Sequence, residues 1–176
     1  MQLSQGIDSG DRTLILAVDA ALAEAARKCG PWLVCRPGCT PCCMGPFPIT
    51  RLDAHRLRRG LDELEVREPE RAARIRERAA AIRDDDDEPC PALDLESGHC
   101  ELYAARPMIC RTFGPPVSCG SGVVGICELC FQGASDAEIA VCEVAIDPDG
   151  LECSLLKELE ETTGARGDTS VALALA

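Results

Sequence analysis

Thirteen cysteines stand in a chain of 176 residues, and no other residue type here offers as much chemistry. The densest group is Cys35-x3-Cys39-x2-Cys42-Cys43, and Cys127-x2-Cys130 is a second short-spaced pair. Gaps of two to four residues cost little loop-closure entropy, so they bring sulfurs within reach of one ion. Gly38 and Gly45, with Pro37, Pro41, Pro46 and Pro48, let the backbone turn around such an ion. A tetrahedral zinc ion takes four thiolates, and so does a [4Fe–4S] cluster. The candidate ligands are Cys35, Cys39, Cys42 and Cys43 before the acidic run at residues 84–88, and Cys90, Cys100, Cys110, Cys127, Cys130 and Cys142 after it. Cys29 ends a predicted helix, Cys119 sits in a glycine-rich loop and Cys153 lies mid-helix, so these three read as isolated thiols. In an extended backbone the adjacent Cys42 and Cys43 would face opposite ways. That suggests two metal centres, or one polynuclear cluster.

Other uses of cysteine fit less well. A disulfide framework belongs to exported proteins, and Met1 to Gly10 is polar, with neither a basic start nor an apolar stretch. An odd number of cysteines also leaves one unpaired. The expectation is therefore a cytoplasmic protein. Cys127-Glu128-Leu129-Cys130 lacks the strand–helix setting of a thioredoxin-like dithiol. Of two histidines, His55 sits among arginines and reads as a surface residue, while His99 beside Cys100 is a candidate ligand or hydrogen-bond partner of one. Arg106 and Arg111 flank Cys110; they either offset thiolate charge or pair with surface carboxylates. The acidic run lacks the alternating ligands of a calcium loop and reads as an exposed linker.

The elements that must hold these sulfurs are lean in apolar bulk. Leu, Ile, Val and Phe total 40 residues, and aromatics are 3%. Alanine and cysteine inflate the hydrophobic fraction, and alanine buries little area. A metal centre would supply the missing stability. The net charge of −12 disfavours nucleic acid. The arginines of residues 51–83 alternate with acids, as on a solvated helical face. No run reaches membrane-span length.

Helical spacing of Leu14, Ile15, Val18, Leu22 and Ala25 predicts a helix over 11–29, stopped by Gly30-Pro31. Residues 32–49 form a loop. Thr50 caps a helix to about residue 66, and Pro69 opens another to about 83. Residues 91–103 predict a small hairpin turning at Glu96-Ser97-Gly98. Residues 106–111 give one helical turn. Ser135 and Glu138 form a capping box. A turn at 147–150 precedes a helix over 151–161, and residues 170–176 could add an edge strand. The predicted fold is mainly α with a small β-hairpin, a loop-rich single domain over 1–176 organised around a cysteine metal centre at about 30–145.

The cluster at residues 35–43, then Cys90-Pro91, then Cys100-x2-Tyr103-x2-Arg106-Pro107-x2-Cys110-Arg111, resembles the bacterial cysteine-cluster proteins of the YkgJ type, a family of zinc- or iron-chelating domains. The resemblance spans about residues 35–142. It implies metal chelation by Cys35, Cys39, Cys42, Cys43, Cys90, Cys100 and Cys110, with Cys127, Cys130 and Cys142 matching less firmly. It implies no particular reaction. Flagellin lysine N-methylases carry a similar cluster, but this chain lacks a glycine-rich strand–turn–helix for S-adenosylmethionine.

The expected function is metal binding through clustered thiolates, with zinc or an iron–sulfur cluster as cofactor and a slight tilt to the latter. The role would be structural, or in storage, delivery or sensing. Metal ions are then the partners, with room for a protein partner, and no nucleic acid or membrane. An iron–sulfur enzyme such as a lysine N-methylase-like transferase, and a thiol redox protein, are the alternatives.

Overall fold

The computed structural model describes residues 4–83, 88–118 and 124–176. Cys119 and all of the acidic run but Glu88 lie outside the described residues. In chain order the elements are α1 (Gln5–Cys29), β1 (Pro48–Ile49), α2 (Arg51–Arg67), α3 (Pro69–Ala81), β2 (Leu93–Asp94), β3 (His99–Cys100), α4 (Met108–Thr112), β4 (Val117–Ser118), β5 (Val124–Gly125), α5 (Asp136–Cys142), β6 (Val144–Ala145), α6 (Leu151–Thr163), β7 (Thr169–Ser170) and α7 (Val171–Leu175). The chain is mainly helical, and the expected hairpin is β2–β3, with Leu93 opposite Cys100 and Asp94 opposite His99. Among the described residues no helix is long and apolar enough to cross a membrane.

The chain divides into two compact units: Met1–Arg36 with Arg111–Gly164, and Pro37–Cys110 with Ala165–Ala176. In the first, α1 is the longest element. It starts six residues before the predicted boundary, because the Ser4 hydroxyl accepts the Ile7 N–H and Ile7 is fully buried. A side-chain N-cap of this kind contributes about 1 kcal/mol. Gly10 lets α6 approach: a Cβ there would lie 2.6 Å from Leu155 Cδ2. Gly30, at φ 50°, ends the helix. β4 pairs antiparallel with β5 and parallel with β6. Ser135 and Glu138 form the expected reciprocal cap on α5. The Asp147 carboxylate accepts the N–H groups of Leu151 (2.7 Å) and Glu152 (2.8 Å), opening α6.

In the second unit α2, α3 and α7 enclose a core of Ile49, Ala54, Leu57, Leu61, Leu64, Ile75, Val171 and Leu175, with other small residues between. Thr50 caps α2 as expected, accepting the Asp53 N–H. The tail corrects the edge-strand expectation. Only Thr169–Ser170 pairs, with β1, and Val171–Leu175 is helical. Ser170 accepts the Leu173 N–H and turns the chain, so that Val171, Ala174 and Leu175 enter the core. The α2–α3 arginines are also not simply a solvated face. Arg56 is buried in an ion pair with Asp53, and Arg58 Nε donates to the Ala174 carbonyl at 3.1 Å.

Candidate metal centre

In the second unit the sulfur-bearing segments are tied to one another by backbone hydrogen bonds. The Cys90 N–H donates to the Cys43 carbonyl at 2.8 Å, and Gly45 N–H donates to the Glu88 carbonyl at 3.0 Å, flanking a bridge between Met44 and Pro89. The hairpin then carries Cys100 back past Cys90, with Leu93 N–H on the Cys90 carbonyl and Glu101 N–H on the Ala92 carbonyl. The loop bearing Cys39 is pressed onto the hairpin turn. Gly38 (φ 86°) and Gly98 (φ 70°) meet so closely that a Cβ on Gly98 would lie 3.1 Å from the Gly38 Cα. Both need the left-handed freedom of glycine.

Charged side chains fix this arrangement from outside. The Glu101 carboxylate, 5% exposed, accepts from Arg71 (2.6 Å) and from Arg78 of α3. Arg78 Nε also donates to the Pro91 carbonyl, next to Cys90, at 2.8 Å. Buried Asp53 on α2 pairs with Arg56 and accepts the Met108 N–H at 2.8 Å, so it sets the start of the turn that carries Cys110. Arg106 stacks 3.9 Å over the Tyr103 ring and donates to the Tyr103 carbonyl.

The thiols behave as one electrostatic group. Burial pushes the Cys90 thiol up to about 11, against the Ala92 N–H that favours its thiolate and the positive charge of Arg78. Burial also raises Cys100, opposed by the Leu102 N–H and by Arg106. Cys110 is an exposed residue, yet dense packing around its sulfur, then the neighbouring Cys90, Cys100 and Cys42, pushes it up to about 12. The Cys42 thiol donates to the Cys43 sulfur, which raises Cys42 and lowers Cys43. This overturns the idea that the adjacent pair faces opposite ways. Pro41–Cys43 is a turn of 3-10 helix, not extended chain, and its curvature brings the two sulfurs together.

The remaining predicted residues belong to the first unit. Cys35 is exposed there, and Cys130 and Cys142 are buried in an apolar cluster with Phe131. Cys127, Trp32 and Leu33 pack against it. Cys29 is in the same cluster, 1% exposed, and its thiol is hydrogen-bonded with Cys142. It is the buried free thiol expected, but it stands among other cysteines rather than alone. Cys153 is exposed on α6, and His99 is exposed on β3. Arg111 pairs with the Asp19 carboxylate (2.6 Å), and the arginine is buried rather than at the surface.

The described cysteines all carry free thiols. Among the described residues no three His, Cys, Asp or Glu side chains stand in a ready ligating arrangement. The thiols hydrogen-bond to one another instead, as protonated sulfurs do, so ligation requires proton loss and side-chain rotation. The donor set nonetheless fits a thiophilic metal. Soft sulfur donors cluster, and backbone N–H groups aim at Cys90, Cys100 and Cys130, where they stabilise the thiolate form that binds metal.

A family model named CxxCxxCC, with the description "Putative zinc- or iron-chelating domain", matches residues 34–123. No curated protein and no solved structure matches the chain.

Proposed function

The chain belongs to the CxxCxxCC family of zinc- or iron-chelating domains, and from that premise we propose that its second unit holds metal through Cys39, Cys42, Cys43, Cys90, Cys100 and Cys110. The observation that carries this reading is the mutual influence of Cys42, Cys43, Cys90, Cys100 and Cys110. They come from four separate stretches of chain, which supports a common centre. Arg78 and Arg106, whose positive charges act on Cys90 and Cys100, offset the charge that several thiolates would accumulate. Six sulfurs exceed the four a single zinc ion takes. The excess favours a polynuclear centre; an all-sulfur donor set suits zinc and iron–sulfur alike, and the adjacent Cys42–Cys43 pair with no histidine in the set tilts the reading to iron–sulfur.

When bound, the metal would cross-link the hairpin, the loop at 37–45 and α4. The chain's own residues do the rest. Arg71, Arg78 and Glu101 hold the hairpin against α3, and Asp53 holds the start of α4. The test is metal analysis with a visible spectrum on protein purified without oxygen. Brown protein containing iron and sulfide is the expected result. Colourless protein rich in zinc would retain chelation and reject the iron–sulfur assignment. Protein with neither metal, in which Cys90→Ser and Cys100→Ser change nothing, would end the chelation reading.

A further inference from the structure

Of the first unit's thiols that the family match does not cover, Cys153 is exposed on α6 and the other four lie at one cluster. Cys29 precedes the matched region, and Cys127, Cys130 and Cys142 follow it. Cys29 is the last residue of α1 and Cys142 the last of α5, so two helix ends converge on one spot. Between them lies a tight turn, in which Cys130 N–H donates to the Cys127 carbonyl at 2.9 Å. Phe131 follows with φ 59°, a left-handed conformation that is strained for a non-glycine residue. Its N–H donates to the Trp32 carbonyl at 3.1 Å, which pins the turn beside the end of α1. The N–H groups of Val34 and Cys35 both point at the Cys130 sulfur. The thiols form a chain of contacts. Cys29 is hydrogen-bonded with Cys142 and feels Cys130, and Cys130 is hydrogen-bonded with Cys127.

We propose that Cys29, Cys127, Cys130 and Cys142 form a mononuclear tetrathiolate site for a zinc-class divalent ion, separate from the centre in the second unit. Zinc–sulfur bonds of about 2.3 Å make a tetrahedron with sulfur–sulfur edges of about 3.8 Å, the spacing of thiols in hydrogen-bond contact. A four-iron cube would hold its cysteine sulfurs much farther apart, with iron and sulfide between them. Cys29 with Cys142 and Cys127 with Cys130 stand as two hydrogen-bonded pairs at one apolar cluster, and side-chain rotation that brings the pairs together suits a single ion. Binding releases the protons now shared between them and closes four Zn–S bonds, with no change of oxidation state. Trp32, Phe131, Leu33 and Ile139 form an apolar shell that excludes water, as a closed structural site requires. A set of merely packed thiols would act as small hydrophobes. It would need neither paired N–H donors on Cys130 nor a strained residue after it.

The site stands independently of the second-unit reading, and the test separates the two. The full chain is loaded with zinc, and metal content is compared across the parent, Cys29→Ser and the Cys90→Ser/Cys100→Ser double variant. Cys29→Ser should lose one ion per chain and keep the rest; the double variant should keep the first-unit ion. Parental metal content in Cys29→Ser would overturn the proposal. Because Cys29→Ser could misfold, a second measurement uses cadmium-113 NMR on the cadmium-loaded double variant, in which the first unit is unaltered. A resonance in the four-sulfur range is expected. Its absence would overturn the single-ion site.

Discussion

At the residue scale, the sulfurs differ in how their environment treats charge. The Cys43 thiolate is favoured, because the Cys42 thiol donates to it. Cys90, Cys100 and Cys110 are all raised, chiefly by burial. An arriving metal must displace protons from thiols that hold them more tightly than usual, so acid competes with the metal. Affinity is thus expected to fall as pH falls from 8 to 6, approaching tenfold per pH unit for each proton displaced. Competition titrations with a chromophoric chelator at several pH values check this, and a pH-independent affinity would contradict it. Cys90→Ser should cut second-unit metal retention, while Cys153→Ser, on the exposed face of α6, should leave metal content unchanged. Element analysis of the two purified variants side by side reads the difference.

At the scale of elements, the site depends on small, specific junctions. Asp53 is the main one, since it is 2% exposed and serves both Arg56 and the Met108 N–H. Removing it leaves the buried guanidinium and the start of α4 without that acceptor. Asp53→Ala should cost about 3–5 kcal/mol and loosen Cys110; urea denaturation gives the first and metal retention the second. Gly98→Ala meets both a positive φ and the Gly38 backbone, so it should push the Cys39 loop off the hairpin and lower metal content. What sequence revealed follows the same grain. Thr50, Ser135 and Gly30 were legible because caps act over three or four residues, and the structure has all three. The hairpin was legible from its turn residues. The early start of α1 was not, because it depends on burial of Ile7 within the first unit. Nor was α7, where a short apolar tail reads equally as strand or helix until the core around Leu61 and Ile75 is known. Cys42 and Cys43 were misread because their direction depends on a single turn of 3-10 helix. The clustering of Cys29 is not legible, because its partner Cys142 lies more than a hundred residues away.

At the scale of the molecule, the question is what holds together a chain with so few large apolar residues. The second unit's core is largely leucine and alanine, and the cluster around Cys29 counts three cysteines among its four buried members. Burying a large aliphatic side chain contributes roughly 1.5–3 kcal/mol, and alanine far less, so packing alone leaves a narrow margin. A ligand that binds only the folded state adds to that margin by mass action, about 4.1 kcal/mol when free metal stands a thousandfold above its Kd. For a chain of this length each kcal/mol moves the melting temperature by about 2–4 °C. Stripping the metal with a strong chelator under reducing conditions should then lower the melting temperature by roughly 8–16 °C, and re-adding metal should restore it. Calorimetry on the parent and on the Cys90→Ser/Cys100→Ser variant carries the argument further. If two centres act separately, the variant starts with part of the loss and chelation removes the remainder. An unchanged transition in the stripped parent would mean that the sulfurs contribute to folding only as small apolar groups, and the thin core would need another explanation.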